Sequence, residues 1–234
     1  MRLNKYVAHC GICARRQAAE HVKNGSVSVN GEVEKNPGYL VQPTDVVAFK
    51  GKPIKLEEKM VYILLNKPKN VITTSNDEKG RETVLDIVGK DIKERIFPVG
   101  RLDRQTTGLL LLTNDGDLAK KLSHPSHKVE KIYQVKLDKN LAQKDLQQIK
   151  DGLELEDGLV QVDNVGFVEG KRDEIGIELH IGRNRIVRRI FEHLGYEVVK
   201  LDRTYYAGLT KKDIPRGRFR HLTQQEVIML KHFK

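Results

Sequence analysis

Two scarcities in the sequence narrow its functional class. Only two of the 234 residues are cysteine, so a zinc site built from two cysteine pairs is excluded. No stretch approaches the roughly 18 apolar residues that a membrane-spanning helix requires. The N-terminal residues also lack the apolar core of a signal peptide, so we expect a cytoplasmic protein with no membrane partner.

The two cysteines form the motif Cys10-Gly11-Ile12-Cys13, which allows three interpretations. A redox pair of this spacing normally follows a strand of a βαβ unit, and only nine residues precede Cys10. A zinc site needs two further ligands, and His9 and His21 are the only histidines nearby. Ordinary packing is therefore the default prediction for both thiols.

Basic residues clearly outnumber acidic ones. The chain has 42 Lys and Arg against 32 Asp and Glu, a net charge of +10. Such an excess favours a polyanionic partner, either nucleic acid or an anionic membrane surface. Because no membrane segment is predicted, nucleic acid is the favoured partner.

Residues 1–59 have the pattern of a small separate domain. Leu3 and Val7 share one face of a short predicted helix, and a second helix is predicted from Ala14 to Asn24. Asn30-Gly31 is a strong signal for a two-residue hairpin, and Tyr39–Val41 is a possible further strand. The polar stretch 50–59 contains Gly and Pro and is typical of a linker to a second domain over residues 60–234.

The segments Arg2–His9, Gly11–Arg16 and Gly25–Gly31 together resemble the S4 RNA-binding domain. This resemblance implies that the face of the two helices docks on structured RNA. Ala14 stands where the pattern usually has serine, which weakens the cap of the second helix by about 1 kcal/mol. The cations expected to bind RNA in this domain are Arg2, Lys5, Arg15, Arg16 and Lys23.

Strands and helices intermix over residues 60–234 without strict βαβ alternation. This order predicts an α+β domain with a mixed, largely antiparallel sheet flanked by helices. Val61–Leu65 and Val71–Thr74 are predicted strands. Gly182-Arg183 is predicted to open a helix, and Thr223 with Glu226 forms a capping box for a closing one.

The stretch Pro98–Gly116 is the most informative part of this domain. Asp103 lies between Arg101 and Arg104 in a polar loop, directly before four leucines, residues 109–112, that are typical of a buried strand. A carboxylate held beside a sheet core among cations suits nucleophilic or acid–base chemistry. The residues by themselves leave open a purely structural Asp–Arg pair in a tight turn.

Three other stretches are candidates for chemistry, each with a plainer alternative. Lys67-Pro68, at a strand end, presents a cation that a phosphate could contact. Tyr133, in a predicted strand, is by itself most often a packing residue. The third is a cationic helix start that suits phosphate binding or, in a sharper interpretation, the neutralisation of a buried carboxylate. Its members are Arg183, Arg185, Arg188 and Arg189.

This domain resembles the pseudouridine synthases, specifically the S4-domain-bearing branch that modifies ribosomal RNA. The resemblance is carried by segments 66–68 and 100–116, by Tyr133 and by Gly182–Arg189. The resemblance runs from Arg2 to about Thr223. It implies isomerisation of uridine to pseudouridine in ribosomal RNA. The form of the Gly182–Arg185 motif favours large-subunit (23S) over small-subunit (16S) RNA as the partner.

The resemblance also implies residue roles. Asp103 corresponds to the essential aspartate, which attacks or deprotonates the ribose while the glycosidic bond breaks. Tyr133 corresponds to the aromatic residue that stacks on the target base, and Arg188 to the arginine that ion-pairs with the aspartate. The remaining cations expected to bind RNA are Lys67, Arg101, Arg183, Arg185 and Arg189.

The implied reaction neither adds nor removes atoms, so we expect no cofactor and no metal. We also expect the enzyme to be a monomer. One alternative is a non-catalytic RNA-binding ribosome-assembly factor on a synthase scaffold, against which intact Asp103, Tyr133 and Arg188 argue. A glycosidase would need two carboxylates flanking the scissile bond. Asp115 and Asp117 are better explained as turn and helix-cap residues.

Overall fold

The computed structural model describes residues 1–89 and 91–233. By their internal contacts these residues form two compact units, Met1–Met60 and Val61–Lys234. The boundary lies one residue beyond the end expected for the first domain. Each unit has its own hydrophobic core.

The first unit packs two helices against a small antiparallel sheet. Its elements are α1 (Leu3–His9), α2 (Arg15–Lys23), β1 (Val27–Val29), β2 (Glu32–Val33), β3 (Val47–Phe49) and β4 (Lys52–Pro53). The strands are hydrogen-bonded in the order β2-β1-β3-β4. Asn30 and Gly31 have φ of 54° and 90°, the positive values that a tight hairpin turn between β1 and β2 needs. The predicted strand at 39–41 is wrong: Leu40 makes only an isolated bridge to Arg2.

The second unit is built on one large mixed sheet. Its strands are β5 (Tyr62–Lys67), β6 (Phe97–Pro98), β7 (Thr107–Thr113), β8 (Lys131–Leu137), β9 (Leu153–Leu155), β10 (Gly158–Val160), β11 (Asn164–Phe167), β12 (Glu174–Leu179), β13 (Val198–Tyr206), β14 (Leu209–Thr210) and β15 (Phe219–His221). The sheet runs β11-β12-β8-β13-β7-β5-β15, with β14 beside β13 and β6 beside β7, while β9 and β10 pair separately. Among the described strands only β13 and β7 pair in parallel, so the predicted α+β class with a largely antiparallel sheet is confirmed.

The described residues of this unit form five α-helices. They are α3 (Val84–Val88), α4 (Gly116–Ser123), α5 (Gln143–Asp151), α6 (Ile186–His193) and α7 (Gln224–Lys231). In the part of the chain that the structure describes, no helix is long and apolar enough to cross a membrane.

The four consecutive leucines form the middle of the central strand β7. Leu110 and Leu112 belong to the core cluster on one face of the sheet, whereas Leu109 and Leu111 belong to the cluster on the other face. All four side chains are fully buried, because alternate residues of a strand point to opposite faces and both faces are covered here. The predicted buried strand is therefore confirmed, and it is continuous with the loop that carries Asp103.

Three local predictions need correction. Residues 71–74 form no strand beyond a single bridge from Ile72 to Thr83. The cap of α4 is Asp115, whose Oδ1 accepts the N–H of Leu118 at 2.9 Å, and not Asp117. Helix α6 begins at Ile186, after the predicted start, because Arg185 takes a left-handed backbone conformation with φ of 47°. The Thr223 and Glu226 capping box forms as predicted.

Gly108 allows β7 and β13 to approach closely at the start of their parallel pairing. A Cβ built at this position would lie 2.2 Å from the carbonyl oxygen of Arg203, and φ is +105°. No side chain fits there without moving the backbone of β13. Gly100, by contrast, has φ of +72° but no heavy atom within 4 Å of such a Cβ.

We expect Gly108→Ala to lower the free energy of unfolding by more than about 3 kcal/mol, because it adds a backbone clash to an unfavourable φ. Gly100→Ala should cost only about 1 kcal/mol, the penalty of a left-handed alanine. Urea denaturation of both variants checks this difference. If both variants were destabilised equally, the close approach of β7 and β13 would not be the reason that position 108 requires glycine.

Candidate active site

A cavity of about 580 Å³ opens beside the loop that precedes β7. Its walls come from the segments 99–106, 122–133 and 180–187 and from strand β13. The fold thus brings together residues that are far apart in sequence. Those predicted from sequence are Arg101, Asp103, Tyr133, Arg183 and Arg185.

Asp103 is held in place by anchors on both sides. Leu102 packs into the main core, and its N–H and C=O both hydrogen-bond the hydroxyl of Thr73, at 3.3 and 2.8 Å. The N–H of Thr106 donates to the carbonyl of Asp103 at 3.0 Å and closes a turn. Within the described residues the Asp103 carboxylate itself has no hydrogen bond or ion pair, so its oxygens are available to a ligand in the cavity.

Lys67 is hydrogen-bonded to the backbone of this loop. The prediction that it contacts a phosphate of RNA is wrong. The side chain is fully buried, so it cannot contact a phosphate of bound RNA. Its Nζ donates to the backbone carbonyls of Pro68, Asp103 and Thr106 at 3.1, 3.1 and 2.9 Å. Burial lowers the pKa of Lys67 to about 8, while the nearby Asp103 charge acts to raise it. Lys67 therefore stabilises the shape of the loop that carries Asp103.

Arg188 enters the same region from α6 without touching the carboxylate. Its Nη1 donates to the carbonyl of Val198 at 2.8 Å, and its Nε is buried with no hydrogen-bond partner. Contrary to expectation, Asp103 and Arg188, both among the residues that the structure describes, form no ion pair within 4.0 Å. Burial lowers the pKa of Arg188, whereas the Asp103 charge acts to raise it. The two groups therefore interact electrostatically without direct contact.

Arg203 is a cavity residue that sequence reasoning missed. Its Nε donates to the carbonyl of Leu109 at 2.7 Å, and its guanidinium lies 4.6 Å from the centre of the Tyr206 ring. Nη2 is buried with no hydrogen-bond partner. Arg203 also pairs across the sheet with Tyr133. An arginine in a strand of alternating polar and apolar residues is normally predicted to be exposed to solvent. The sequence therefore did not indicate that Arg203 is buried.

Some buried polar atoms at or near the cavity have no hydrogen-bond partner. Besides Arg188 Nε and Arg203 Nη2, the buried hydroxyl of Thr106 has no hydrogen-bond partner. Buried polar groups are normally hydrogen-bonded, and exceptions call for an explanation. Two of these atoms, on Thr106 and Arg203, belong to residues that line the cavity, which also holds the free Asp103 carboxylate. This combination indicates a polar ligand.

The other arginines of the α6 region are held by protein groups. Arg183 donates to the carbonyls of Gly158 and Leu159 at 3.0 and 3.1 Å. Arg189 binds the Asp157 carboxylate through both Nη atoms, at 2.9 and 2.5 Å, and does not line the cavity. Arg185 pairs with Glu192 at 3.2 Å. Arg183 and Arg185 remain at the cavity wall, where they add positive charge.

The predicted cations of the first unit lie mainly on its surface. Arg2, Arg15, Arg16 and Lys23 are exposed, and Lys5 is half-buried. Arg15 and Arg16 occupy the first turn of α2, which contains no acidic residue. Cations at a helix N-terminus oppose the helix dipole, so this surface is better suited to an anionic partner than to isolation.

Cys10 and Cys13 form no disulfide. Burial raises the pKa of Cys10 to about 12, which suppresses the reactive thiolate. Across residues 1–89 and 91–233, no three His, Cys, Asp or Glu side chains are grouped so as to hold a metal ion.

Comparison with known proteins identifies two matching families. Residues 61–193 match the family described as RNA pseudouridylate synthase, and residues 1–47 match the S4 domain.

Individual relatives cover nearly the whole chain. The ribosomal large subunit pseudouridine synthase B of Bacillus subtilis (strain 168) is 42% identical, over 98% of this chain and 95% of its own. The dual-specificity RNA pseudouridine synthase RluF of Escherichia coli (strain K12) is 37% identical, over 98% of this chain and 78% of its own. A crystal structure described as a pseudouridylate synthase matches with a TM-score of 0.68 and 27% identity, over 98% of this chain and 99% of the other.

Proposed function

The chain belongs to the RNA pseudouridylate synthase family and isomerises uridine to pseudouridine in RNA; on this premise we propose that it acts on large-subunit ribosomal RNA with Asp103 as the catalytic residue. The observation that carries the proposal is the free Asp103 carboxylate, placed in a cavity where buried polar atoms of Thr106 and Arg203 lack partners. The name of the Bacillus subtilis relative supports large-subunit RNA as the substrate.

The target uridine must leave its base stack to reach Asp103. Unstacking costs roughly a few kcal/mol, which contacts inside the pocket offset. Tyr133 lies on the cavity wall with 9% of its surface exposed, so its ring offers a face for the extruded base. Lys131 sits at the same wall, where its Nζ donates to the carbonyls of Val129 and His180 at 2.7 and 2.8 Å.

In the proposed reaction the bond between N1 of uracil and C1′ of the ribose breaks, and a bond from C5 to C1′ forms. Asp103 attacks or deprotonates the ribose as the first bond breaks. The base then turns within the cavity, C5 loses its proton and N1 gains one, so atoms balance without a co-reactant. The rigid anchoring of the loop by Lys67 and Thr73 keeps the carboxylate positioned throughout.

Negative charge develops on uracil when the bond to the ribose breaks. Arg188 and Arg203 each keep a buried N–H without a partner. Arg203 lines the cavity, and Arg188 lies close enough to Asp103 for their charges to interact. Donors that are already oriented, in a site shielded from water, stabilise such charge far better than water does. We assign these two arginines to the departing uracil, a role that needs no contact ion pair with Asp103.

The S4 domain makes RNA the partner of the first unit. We propose that its exposed face with Arg15 and Arg16 binds ribosomal RNA through phosphates. In this proposal the enzyme acts in the cytoplasm as a monomer.

Mapping of pseudouridines in both ribosomal RNAs tests the substrate. In cells that lack the gene, we expect one or a few large-subunit pseudouridines to disappear and the small-subunit ones to persist. Restoring the gene should restore the same positions. If every large-subunit site persists while a site in another RNA is lost, the large-subunit assignment is wrong.

A further inference from the structure

A second cavity, of about 650 Å³, lies on the opposite face of the sheet from Tyr133. We call it the rear groove; it is lined by Lys69, Thr107, Gln134, Lys136, Glu174, Lys200, Asp202, Lys211 and Arg216. Gln134 and Lys136 alternate along β8 with Tyr133 and Val135, which face the main core. The rear groove is therefore separate from the candidate active site.

The rear groove is strongly cationic. Five of its side chains are basic and two are acidic, a balance of +3. Both carboxylates are already neutralised by neighbours. Asp202 binds Lys211, Arg216 at 2.7 Å and the hydroxyl of Thr107 at 2.6 Å, and these contacts lower its pKa although burial acts to raise it. Glu174 pairs with Lys171 at 2.9 Å, beside Lys136 at 3.7 Å.

Two lysines of the rear groove have no counter-ion. Lys69 and Lys200 are exposed and make no side-chain hydrogen bond or ion pair with any described residue. Lys200 also lies directly opposite Lys136 in the pairing of β13 with β8. Lys136 is itself bound to Asp173, so Lys200 is the cation of this pair that remains available to an anion.

The rear groove is tied to the catalytic loop. The N–H of Asn70 donates to the carbonyl of Arg104 at 2.9 Å, and Gln105 Nε2 donates to Asn70 Oδ1 at 3.2 Å. Thr106 lines the cavity that holds Asp103, while the next residue, Thr107, lines the rear groove. The chain from Thr106 to Thr107 therefore connects the two cavities directly.

We propose that the rear groove binds the sugar-phosphate backbone of the substrate RNA next to the modified nucleotide, a proposal that rests on the proposed function. Its cations suit phosphates, and none of its lining residues is aromatic, so it has no surface on which a base would stack. From Thr107 on β7 to Glu174 on β12 it crosses three strand spacings, roughly 14 Å, which is room for more than one phosphate.

The test is the salt dependence of RNA binding by Lys69→Gln/Lys200→Gln, measured with a large-subunit ribosomal RNA fragment. We expect the Kd to rise about tenfold at 0.15 M salt and the slope of log K against log salt to shrink by about 1.5, the loss of two phosphate contacts. The single-turnover rate at saturating RNA should stay unchanged. Lys69→Arg/Lys200→Arg should restore both the affinity and the slope.

The matched control is Lys144→Gln/Lys150→Gln, which removes two exposed charges from α5 and touches neither cavity. If the groove variant and this control have the same Kd and salt slope, the proposal is wrong. The same result is expected if the groove binds an acidic protein surface instead of RNA. Phosphate contacts are independent of sequence, so this comparison stands whichever RNA is modified. Pseudouridine formation by the wild-type enzyme on the same fragment tests the proposed function separately.

Discussion

Asp103→Asn is expected to abolish pseudouridine formation, with a loss of at least about 10³-fold in the single-turnover rate. The substitution keeps the size of the side chain and leaves the backbone carbonyl that accepts from Lys67 in place. Only the negative charge and the nucleophilic oxygen pair are lost. Because this carboxylate has no partner among the described side chains, its removal should not disturb the fold.

Three measurements separate catalysis from structure in this variant. The rate is followed by release of the C5 proton from labelled uridine, affinity by RNA binding, and stability by thermal unfolding. Binding and unfolding should match the wild type, as should every property of Asp91→Asn, which alters an exposed loop carboxylate. If the variant retained the normal rate, Asp103 would not be the catalytic residue. The alternative of a non-catalytic ribosome-assembly factor would then have to be considered again.

Lys67→Met is expected to have the second-largest effect, through the loop that carries Asp103. Methionine keeps most of the volume but removes the hydrogen bonds to the carbonyls of Pro68, Asp103 and Thr106, of which the Asp103 carbonyl keeps the N–H of Thr106 as a donor. Each unsatisfied buried carbonyl costs roughly 1–3 kcal/mol, so we expect a loss of several kcal/mol in the free energy of unfolding. A loosened loop should also lower kcat by about 10²-fold, because small displacements of catalytic groups are costly.

Lys150→Met, on the surface of α5, is the control for this substitution and should behave like the wild type. If Lys67→Met kept full kcat and stability, the buried ammonium would not be holding the loop. A rise in KM for RNA with unchanged kcat would instead restore the phosphate-contact role that its burial contradicts.

The pH profile of the wild-type enzyme examines Lys67 without any substitution. Its pKa is lowered from 10.5 to about 8, so the ammonium loses a proton and one donor above that pH, and activity should fall. Between about pH 8 and 10.5 the unfolded chain holds a proton that the folded chain has released. This group therefore makes the folded state more stable as pH rises, and the activity loss is not unfolding.

Lys131 titrates in the same range, because burial lowers its pKa to about 8 as well. Repeating the profile with Lys131→Met separates the two lysines. The fall in activity above pH 8 should remain in that variant. Its disappearance would assign the alkaline limb to Lys131 and the cavity wall.

The sequence by itself determined the family, the α+β class and the central strand. These follow from local information: Leu109–Leu112 are apolar enough to be buried on both faces, and Asn30-Gly31 has the backbone freedom that a hairpin needs. The segment around Asp103 also carries enough identity in consecutive residues for the resemblance to be drawn without a structure.

Only the tertiary structure decided what the charged side chains do. Lys67 and Arg203 are buried because strands distant in sequence close over them, and a charge that looks exposed in sequence is then satisfied by backbone carbonyls. Arg188 does not reach Asp103 in contact, because it donates to Val198 instead. Burial and partner choice depend on contacts between remote segments, and a local pattern of residue types contains no information about them.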